Sequence, residues 1–154
     1  MPRLALYQPD IPQNTGTLLR LGACLNVPVD IIGPTGFDMS DKALRRAGMD
    51  YVLKTDVLRH VSFKAFLDKY QGKSGRIILT TTKAKQNYTA FTYQPTDIIM
   101  LGRESAGVPE TVAQAVDERV TIPMQKGVRS LNIAVAGAMI IGEALRQTEG
   151  FPTQ

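Results

Sequence analysis

Short apolar runs alternate with helical periodicities along the chain. Continuous runs rich in β-branched residues predict strands at 4–8, 29–32, 76–80, 97–101 and 119–123. Elsewhere the apolar residues recur at the spacing of one helix face, which predicts helices at 14–25, 41–48, 62–70, 109–116 and 130–147. Strands that are separated by helices, and that are apolar throughout rather than at alternate positions, indicate a parallel sheet covered on both faces. The predicted fold class is therefore α/β, with residues 1–154 forming a single domain.

The first predicted helix begins at Asn14, a residue type that is favoured at the N-cap. The single cysteine, Cys24, lies among apolar neighbours and is expected to be a small core residue. The buried stripe of this helix is expected to consist of Leu18, Leu21, Gly22 and Leu25.

The last predicted helix is apolar almost all round and contains several small residues, which predicts close packing inside the fold, against a second subunit, or both. It is preceded by Arg129-Ser130-Leu131-Asn132, three of which are polar. A buried helix needs one capping residue rather than a cluster of polar groups. The cluster is either an over-supplied cap or part of a ligand site.

The formal net charge is +4, from 18 Lys and Arg against 14 Asp and Glu, which suits a polyanionic partner without establishing one. Lys42, Arg45 and Arg46 share one face of a predicted helix. This face is either solvated or positions a nucleic acid through its phosphates.

Several functions find no support in the sequence. No apolar run reaches the roughly 20 residues that span a bilayer, and no signal peptide is recognised at the start, so a cytoplasmic protein is expected. One Cys and one His cannot form a Cys/His metal site. A Ser–His hydrolase would depend on His60, which is remote in sequence from the polar loops described next. The glycine fingerprint of dinucleotide-binding proteins is absent after the first strand.

Three predicted strands end in loops of unusual content: Leu79 is followed by TTTKAK, Leu101 by GRESAGVPE and Ile122 by PMQKGVRSLN. Because parallel strands place their carboxyl ends at one edge of the sheet, these loops are candidates for a shared ligand site. Their glycines permit close backbone approach and their hydroxyl, carboxylate and amide groups suit a small polar molecule. Glycine-bearing loops also occur in such folds without binding a ligand. Arg20, with Gly16 one turn earlier, fits either a phosphate or ribose contact or a solvated surface.

Three segments carry a family resemblance: NTGTLLR near the start, LGRESAGVP in the middle and IPMQKGVRSLNIAVAGAMI near the end. They resemble, in order, the three motifs of the SPOUT methyltransferases. The similarity extends over essentially the whole chain and is greatest to the compact members that methylate the ribose 2′-oxygen of the wobble nucleotide in tRNA. The resemblance implies a C-terminal trefoil knot, S-adenosyl-L-methionine as methyl donor, tRNA as substrate, a homodimer and no metal ion.

The resemblance also implies roles for individual residues. Arg20, Ser130 and Asn132 would be catalytic, with Arg20 at a subunit boundary, where it orients the ribose and stabilises developing negative charge. Ser130 and Asn132 would cap the last helix and face the ligands. The cofactor would be held by Leu79, Gly102, Glu104, Gly107, Ile122 and Ser130. The candidate RNA-binding residues are Asn14, Arg20, Lys42, Arg45, Arg46 and Arg129; of these, Lys42, Arg45 and Arg46 are suggested by the charge pattern and not by the resemblance.

Two positions depart from the family pattern: Ala134 replaces a polar residue common in relatives, and Arg103 replaces a smaller one. They leave open whether one hydrogen bond is absent and what Glu104 does. Two alternatives also remain: methylation of a different tRNA or rRNA ribose, and a non-catalytic RNA-binding protein with the same fold.

Overall fold

The computed structural model describes residues 1–40, 42–43 and 55–154. Within these ranges, six strands form one sheet, and every pairing in it is parallel. The strands are β1 (Arg3–Tyr7), β2 (Val29–Ile32), β3 (Val57–His60), β4 (Ile77–Thr80), β5 (Ile98–Leu101) and β6 (Glu118–Val120). Their order across the sheet is β3-β2-β1-β5-β4-β6. The predicted parallel α/β sheet is confirmed.

β3 is not among the strands predicted from the sequence. This strand lies at one edge of the sheet, where it pairs with β2. Its third residue, Arg59, is exposed, and its last, His60, is buried. An edge strand does not need the continuous apolar run that marks a central strand, so it gave no clear signal.

Four helices with described boundaries connect and cover the strands: α1 (Pro12–Leu25), α2 (Phe63–Tyr70), α3 (Glu110–Ala115) and α4 (Ile133–Thr148). The predicted helix at 41–48 lies outside the described residues except for 42 and 43, which are helical. The predicted start of α1 was wrong. The helix begins two residues earlier, because Pro12 has the backbone angle of a first helical residue, and Ile11 rather than Asn14 occupies the N-cap.

Each face of the sheet carries its own apolar core. Leu4, Leu6 and Leu101 point to one side, where they pack with residues of α1 and α4. Ala5 and Met100 point to the other, where α2 and α3 contribute Phe66 and Val112 among others. Side chains alternate between the faces along each strand, and both faces are apolar because both are covered by helices.

The buried stripe of α1 differs from the predicted one. Its buried residues are Thr15, Leu18, Leu19 and Gly22, whereas Leu21 and Leu25 are only partly buried. Cys24 is exposed, so its prediction as a core residue was wrong. Gly137 of α4 brings the two helices together, because a Cβ there would lie 2.9 Å from Leu18 Cδ2.

One side of α4 is left exposed by the residues that the structure describes. Val135 is 50% exposed and Met139 is 38% exposed, one turn apart on the same face. No described helix is long and apolar enough to cross a membrane.

Candidate active site

A cavity of about 860 Å³ opens at the carboxyl edge of the sheet, beyond the ends of β4 and β5. Its wall includes the loops after these two strands, the start of α1 and the segment before α4. Among the predicted site residues, the following line it: Asn14, Leu79, Gly102, Glu104, Gly107, Arg129, Ser130 and Asn132. Cavities of this size are typical of small-molecule and cofactor sites. The structure therefore brings together most of the residues that the sequence placed in three separate loops.

The loop after β5 folds back on itself. Arg103 N–H donates to the Gly107 carbonyl at 3.0 Å, and Gly107 N–H donates to the Arg103 carbonyl at 2.8 Å. Gly107 has φ +64°, which favours glycine. A Cβ on Gly102 would lie 2.9 Å from Gly107 Cα, so both glycines are needed for this tight closure. The result is a stretch of backbone that a ligand can approach without side-chain obstruction.

The end of β4 contributes an unusual polar group. Thr80 lines the cavity, and its hydroxyl oxygen is buried without a hydrogen-bond partner in the described part of the chain. A buried hydroxyl in this condition costs free energy, and a bound polar ligand would remove that cost. Leu79, just before it, is buried at the floor of the cavity.

The polar cluster before α4 contains the N-cap of this helix, which is Asn132. Its Oδ1 accepts hydrogen bonds from Ala134 N–H at 2.8 Å and Val135 N–H at 3.2 Å, so it is the N-cap. Its Nδ2 donates to Asn14 Oδ1 at 3.1 Å, which ties α4 to the first turn of α1. Ser130 lies two residues before the cap and is exposed at the cavity. The expectation that Ser130 also caps the helix was wrong: one cap is sufficient, and Ser130 is left at the cavity wall.

Asp10 and Glu104 form an acidic pair beside the cavity. Hydrogen bonds from Glu104 and then Ser105 lower the pKa of Asp10 to about 2, and the charge of Arg103 adds to this effect. The pKa of Glu104 is raised, first by burial and then by its hydrogen bond to Asp10. The environment therefore shifts the two carboxyl pKa values in opposite directions.

The remaining predicted residues lie elsewhere. Ile122 is partly buried against the core and is not among the residues that line the cavity. Arg20 is exposed on α1, six residues and about 9 Å along the helix from Asn14, and is likewise not in the lining. Lys42 is exposed. Arg45 and Arg46 lie outside the described residues.

Sequence reasoning missed several groups at the site. Arg119, which follows the start of β6, and Lys83 add positive charge to the lining, whereas Ile11 adds an apolar contact. Asp10 was also missed, although its position just after β1 places it at the same sheet edge as the other loops. That position is the signal by which it could have been found.

His60, on which a Ser–His hydrolase would depend, lies away from the cavity. His60 lies in β3, with Nε2 2.8 Å from Asp30 Oδ2, and three strands separate β3 from β4. In the ranges that the structure describes, no group of three or more His, Cys, Asp or Glu side chains is placed to hold a metal ion.

Comparison with known proteins places this arrangement in a family. The model of the SpoU rRNA Methylase family matches residues 1–142. The chain belongs to this family. The methyltransferase resemblance of the three sequence motifs is thereby confirmed.

Individual members of the SpoU methylase family match over nearly the full chain. A protein of Beijerinckia indica subsp. indica, named tRNA (cytidine(34)-2'-O)-methyltransferase, is 59% identical over 145 residues, covering 94% of this chain and 90% of its own length. The protein of the same name from Escherichia coli K12 is 39% identical, with coverage of 99% and 96%. A solved structure concerning "2-OH methylation of C/U34 on tRNA" is 39% identical, with a TM-score of 0.87 and coverage of 96% and 95%.

Proposed function

We propose that this member of the SpoU methylase family transfers a methyl group from S-adenosyl-L-methionine to the ribose 2′-oxygen of the wobble nucleotide of tRNA. The observation that carries the proposal is the single cavity wall built from the loops after β4 and β5 and from the segment before α4. The names of the relatives, which match almost end to end at up to 59% identity, support the substrate and the position.

The residues present fit a bound S-adenosylmethionine. The closed loop from Gly102 to Gly107 offers exposed backbone, Leu79 offers an apolar surface, and the unpartnered Thr80 hydroxyl offers a hydrogen bond. These groups, together with Ser130 of the cavity wall, would hold the cofactor. When bound, the cofactor would supply the methyl group from a sulfonium whose sulfur leaves as a neutral thioether, while the ribose hydroxyl releases its proton to solvent; this transfer requires no metal ion.

The chain itself then has to position the ribose and exclude water. Charge disappears as a sulfonium meets a nucleophilic oxygen, so alignment supplies much of the rate acceleration. Ser130 and Asn132 would hold the ribose at the cavity, with Asn14 fixing the Asn132 amide. Arg20 would orient the ribose or its phosphate and stabilise developing negative charge on the oxygen, since a guanidinium stays protonated in proteins. The positive groups of the lining, Arg129 among them, would contact RNA phosphates.

A homodimer would bring Arg20 to the site. The exposed strip of α4 that contains Val135 and Met139 is apolar, and a second copy of the chain would bury it. Arg20 is outside the cavity lining of its own chain, so in this proposal Arg20 of the partner subunit reaches the ribose.

The subunit-boundary role can be tested by mixing two inactive variants, Arg20→Ala and Gly102→Val. The latter places side-chain atoms against Gly107 and removes the cofactor site. If Arg20 acts across the dimer, mixed dimers contain one site in which both functional groups are intact, and activity returns. Mixtures that exchange subunits but stay inactive would contradict the arrangement.

The proposal also includes features of the family fold. The C-terminal segment would form a trefoil knot, residues 1–154 would act as one domain, and the protein would work in the cytoplasm, where tRNA is modified. The free energy of unfolding of such a knotted chain is then expected to depend on α4, which packs against α1 and β5.

The substrate class is tested by incubating the purified protein with methyl-labelled S-adenosylmethionine and either tRNA or rRNA from cells that lack the modification. Label in tRNA supports the proposal. Label in rRNA alone would keep the chemistry but replace the substrate. Absence of cofactor binding and of label would favour a non-catalytic RNA-binding protein.

A further inference from the structure

Three consecutive residues of the closed loop, Arg103, Glu104 and Ser105, all contact Asp10. The Ser105 hydroxyl donates to the Asp10 carboxylate, and Arg103 Nε lies 3.5 Å from Asp10 Oδ2. The Asp10 backbone N–H donates to Glu104 Oε2 at 3.0 Å. Asp10 is thus a common partner of three consecutive residues of a loop that lines the cavity.

A third segment fixes Asp10 itself. Gly36 N–H donates to the Pro9 carbonyl at 2.9 Å. A Cβ on Gly36 would lie 2.6 Å from Asp10 Cβ and 2.9 Å from Asp10 Cα, so the loop after β2 packs directly against this residue. Asp10 is therefore in contact with the loop after β2 at Gly36 and with the cavity loop at Arg103, Glu104 and Ser105.

The contacts are strong ones for a side chain near the surface. The Asp10 side chain is only 17% exposed, and hydrogen bonds to an ionised carboxylate are stronger than those between neutral groups. The low pKa of Asp10 means that these bonds persist at neutral pH. The closed loop has its own backbone bridge between Arg103 and Gly107, but that bridge fixes its shape and not its place against β1 and α1.

We propose that Asp10 is a positioning residue for the methyl-donor site: its carboxylate, through Arg103 and Ser105, fixes the place of the closed loop against β1 and α1, so that the backbone at Gly102 and Gly107 faces the cofactor. Asp10 does not line the cavity, so it acts through the loop and not by touching the ligand. The inference rests on the proposed function, because it requires the cofactor to bind at this cavity.

The test measures binding of S-adenosylhomocysteine by calorimetry to the full-length wild type and to Asp10→Asn, with Asp38→Asn as matched control. Asp38 is exposed in the loop after β2, and its carboxylate accepts one local bond from Ser40 N–H, so its substitution removes the same charge without touching the cavity loop. Asp10→Asn is expected to bind the probe about tenfold more weakly or worse, with the control within about twofold of wild type. Steady-state assays should show a raised KM for S-adenosylmethionine and an unchanged KM for tRNA.

Two further variants separate positioning from a general loss of structure. Gly36→Ala changes no polar group but displaces Asp10, and it should weaken the probe in the same direction. Ser105→Ala should weaken binding in the wild type and have little added effect in Asp10→Ala, because both remove the bond from the Ser105 hydroxyl to the Asp10 carboxylate.

The outcomes distinguish this inference from the proposed function. If the wild type binds the probe and Asp10→Asn binds it equally well, the positioning role is wrong and the cofactor site stands. Equal increases in both KM values, in step with a fall in Tm, would also overturn it in favour of a structural role. A wild type that does not bind the probe would overturn both.

Discussion

Asn132 has two separable tasks, and substitution can remove them one at a time. Its Oδ1 caps α4 by accepting bonds from Ala134 and Val135, whereas its Nδ2 donates to Asn14 at the cavity. Asn132→Ala removes both functions. Asn132→Asp keeps the cap acceptor and removes the amide donor, and Asn132→Ser does the same without adding charge.

The stability effects follow from these contacts. Loss of an N-cap costs about 1 kcal/mol, within a range of roughly 0.5–2 kcal/mol. The exposed bond to Asn14 adds at most about 1 kcal/mol. In a protein of this size about 1 kcal/mol corresponds to roughly 2–4 °C in Tm, so Asn132→Ala should lower Tm by about 2–8 °C. Asn132→Asp should stay within about 2 °C of wild type, because a carboxylate at a helix N-terminus is favourable by about 0.3–1 kcal/mol.

The activities of the three variants should not follow the order of their Tm values. We expect all three variants to lose at least about tenfold in kcat/KM, because each removes the amide that we propose to contact the ribose, a change of about 1.4 kcal/mol or more. Thermal unfolding and single-turnover methyl transfer measured on the same preparations make the comparison. If Asn132→Asp and Asn132→Ser keep wild-type activity while Asn132→Ala loses it, Asn132 is only a cap and the reasoning is refuted.

Three other predictions follow from the same structure. Arg20→Ala should leave S-adenosylhomocysteine affinity within about twofold of wild type and lower turnover by about a hundredfold or more, since Arg20 is proposed to contact the ribose and not the cofactor; comparable losses in calorimetry and kinetics would reject that role. Gly102→Ala should weaken cofactor binding because the new Cβ meets Gly107 Cα at 2.9 Å, and unchanged affinity would mean that the loop is not held in its closed form. Hydrogen bonds from Arg146 and then Gln147 lower the pKa of Glu143 to about 2, so this carboxylate stabilises the fold above its unfolded value of about 4.5 and loses that effect as the pH falls towards 2. Acid unfolding should therefore cost wild type more stability than Glu143→Gln over that interval, and parallel curves would show that the interaction contributes little.

Much of the fold could be predicted because its main signals are local. β1, β2, β4, β5 and β6 were recognised from continuous apolar runs, and their separation by helices indicated parallel pairing. β3 was missed because an edge strand tolerates Arg59 and His60. The exposure of Cys24 could not be foreseen, since it depends on which face of α1 packs against α4, and the buried residues Thr15 and Leu19 shift that face away from Cys24.

The location of the candidate site could be predicted from the sequence, but the hydrogen bonds within it could not. Parallel strands bring their carboxyl ends together, so the polar loops after Leu79 and Leu101 were expected to meet, and they do. The contacts of Asp10 could not be read from the sequence, because its partners Glu104 and Ser105 are 94 and 95 residues away. The residues next to Asp10 in sequence carry no information about Glu104 and Ser105, which come close to it only in the folded protein.

The most direct test of the proposed activity is the position of the transferred methyl group. Purified protein and S-adenosylmethionine carrying a labelled methyl group are incubated with tRNA that lacks the modification, and the product is mapped by nuclease digestion and mass spectrometry. We expect one labelled nucleotide, at the wobble position, with the methyl group on the ribose 2′-oxygen. Label on a base, or on a ribose elsewhere in the tRNA, would contradict it.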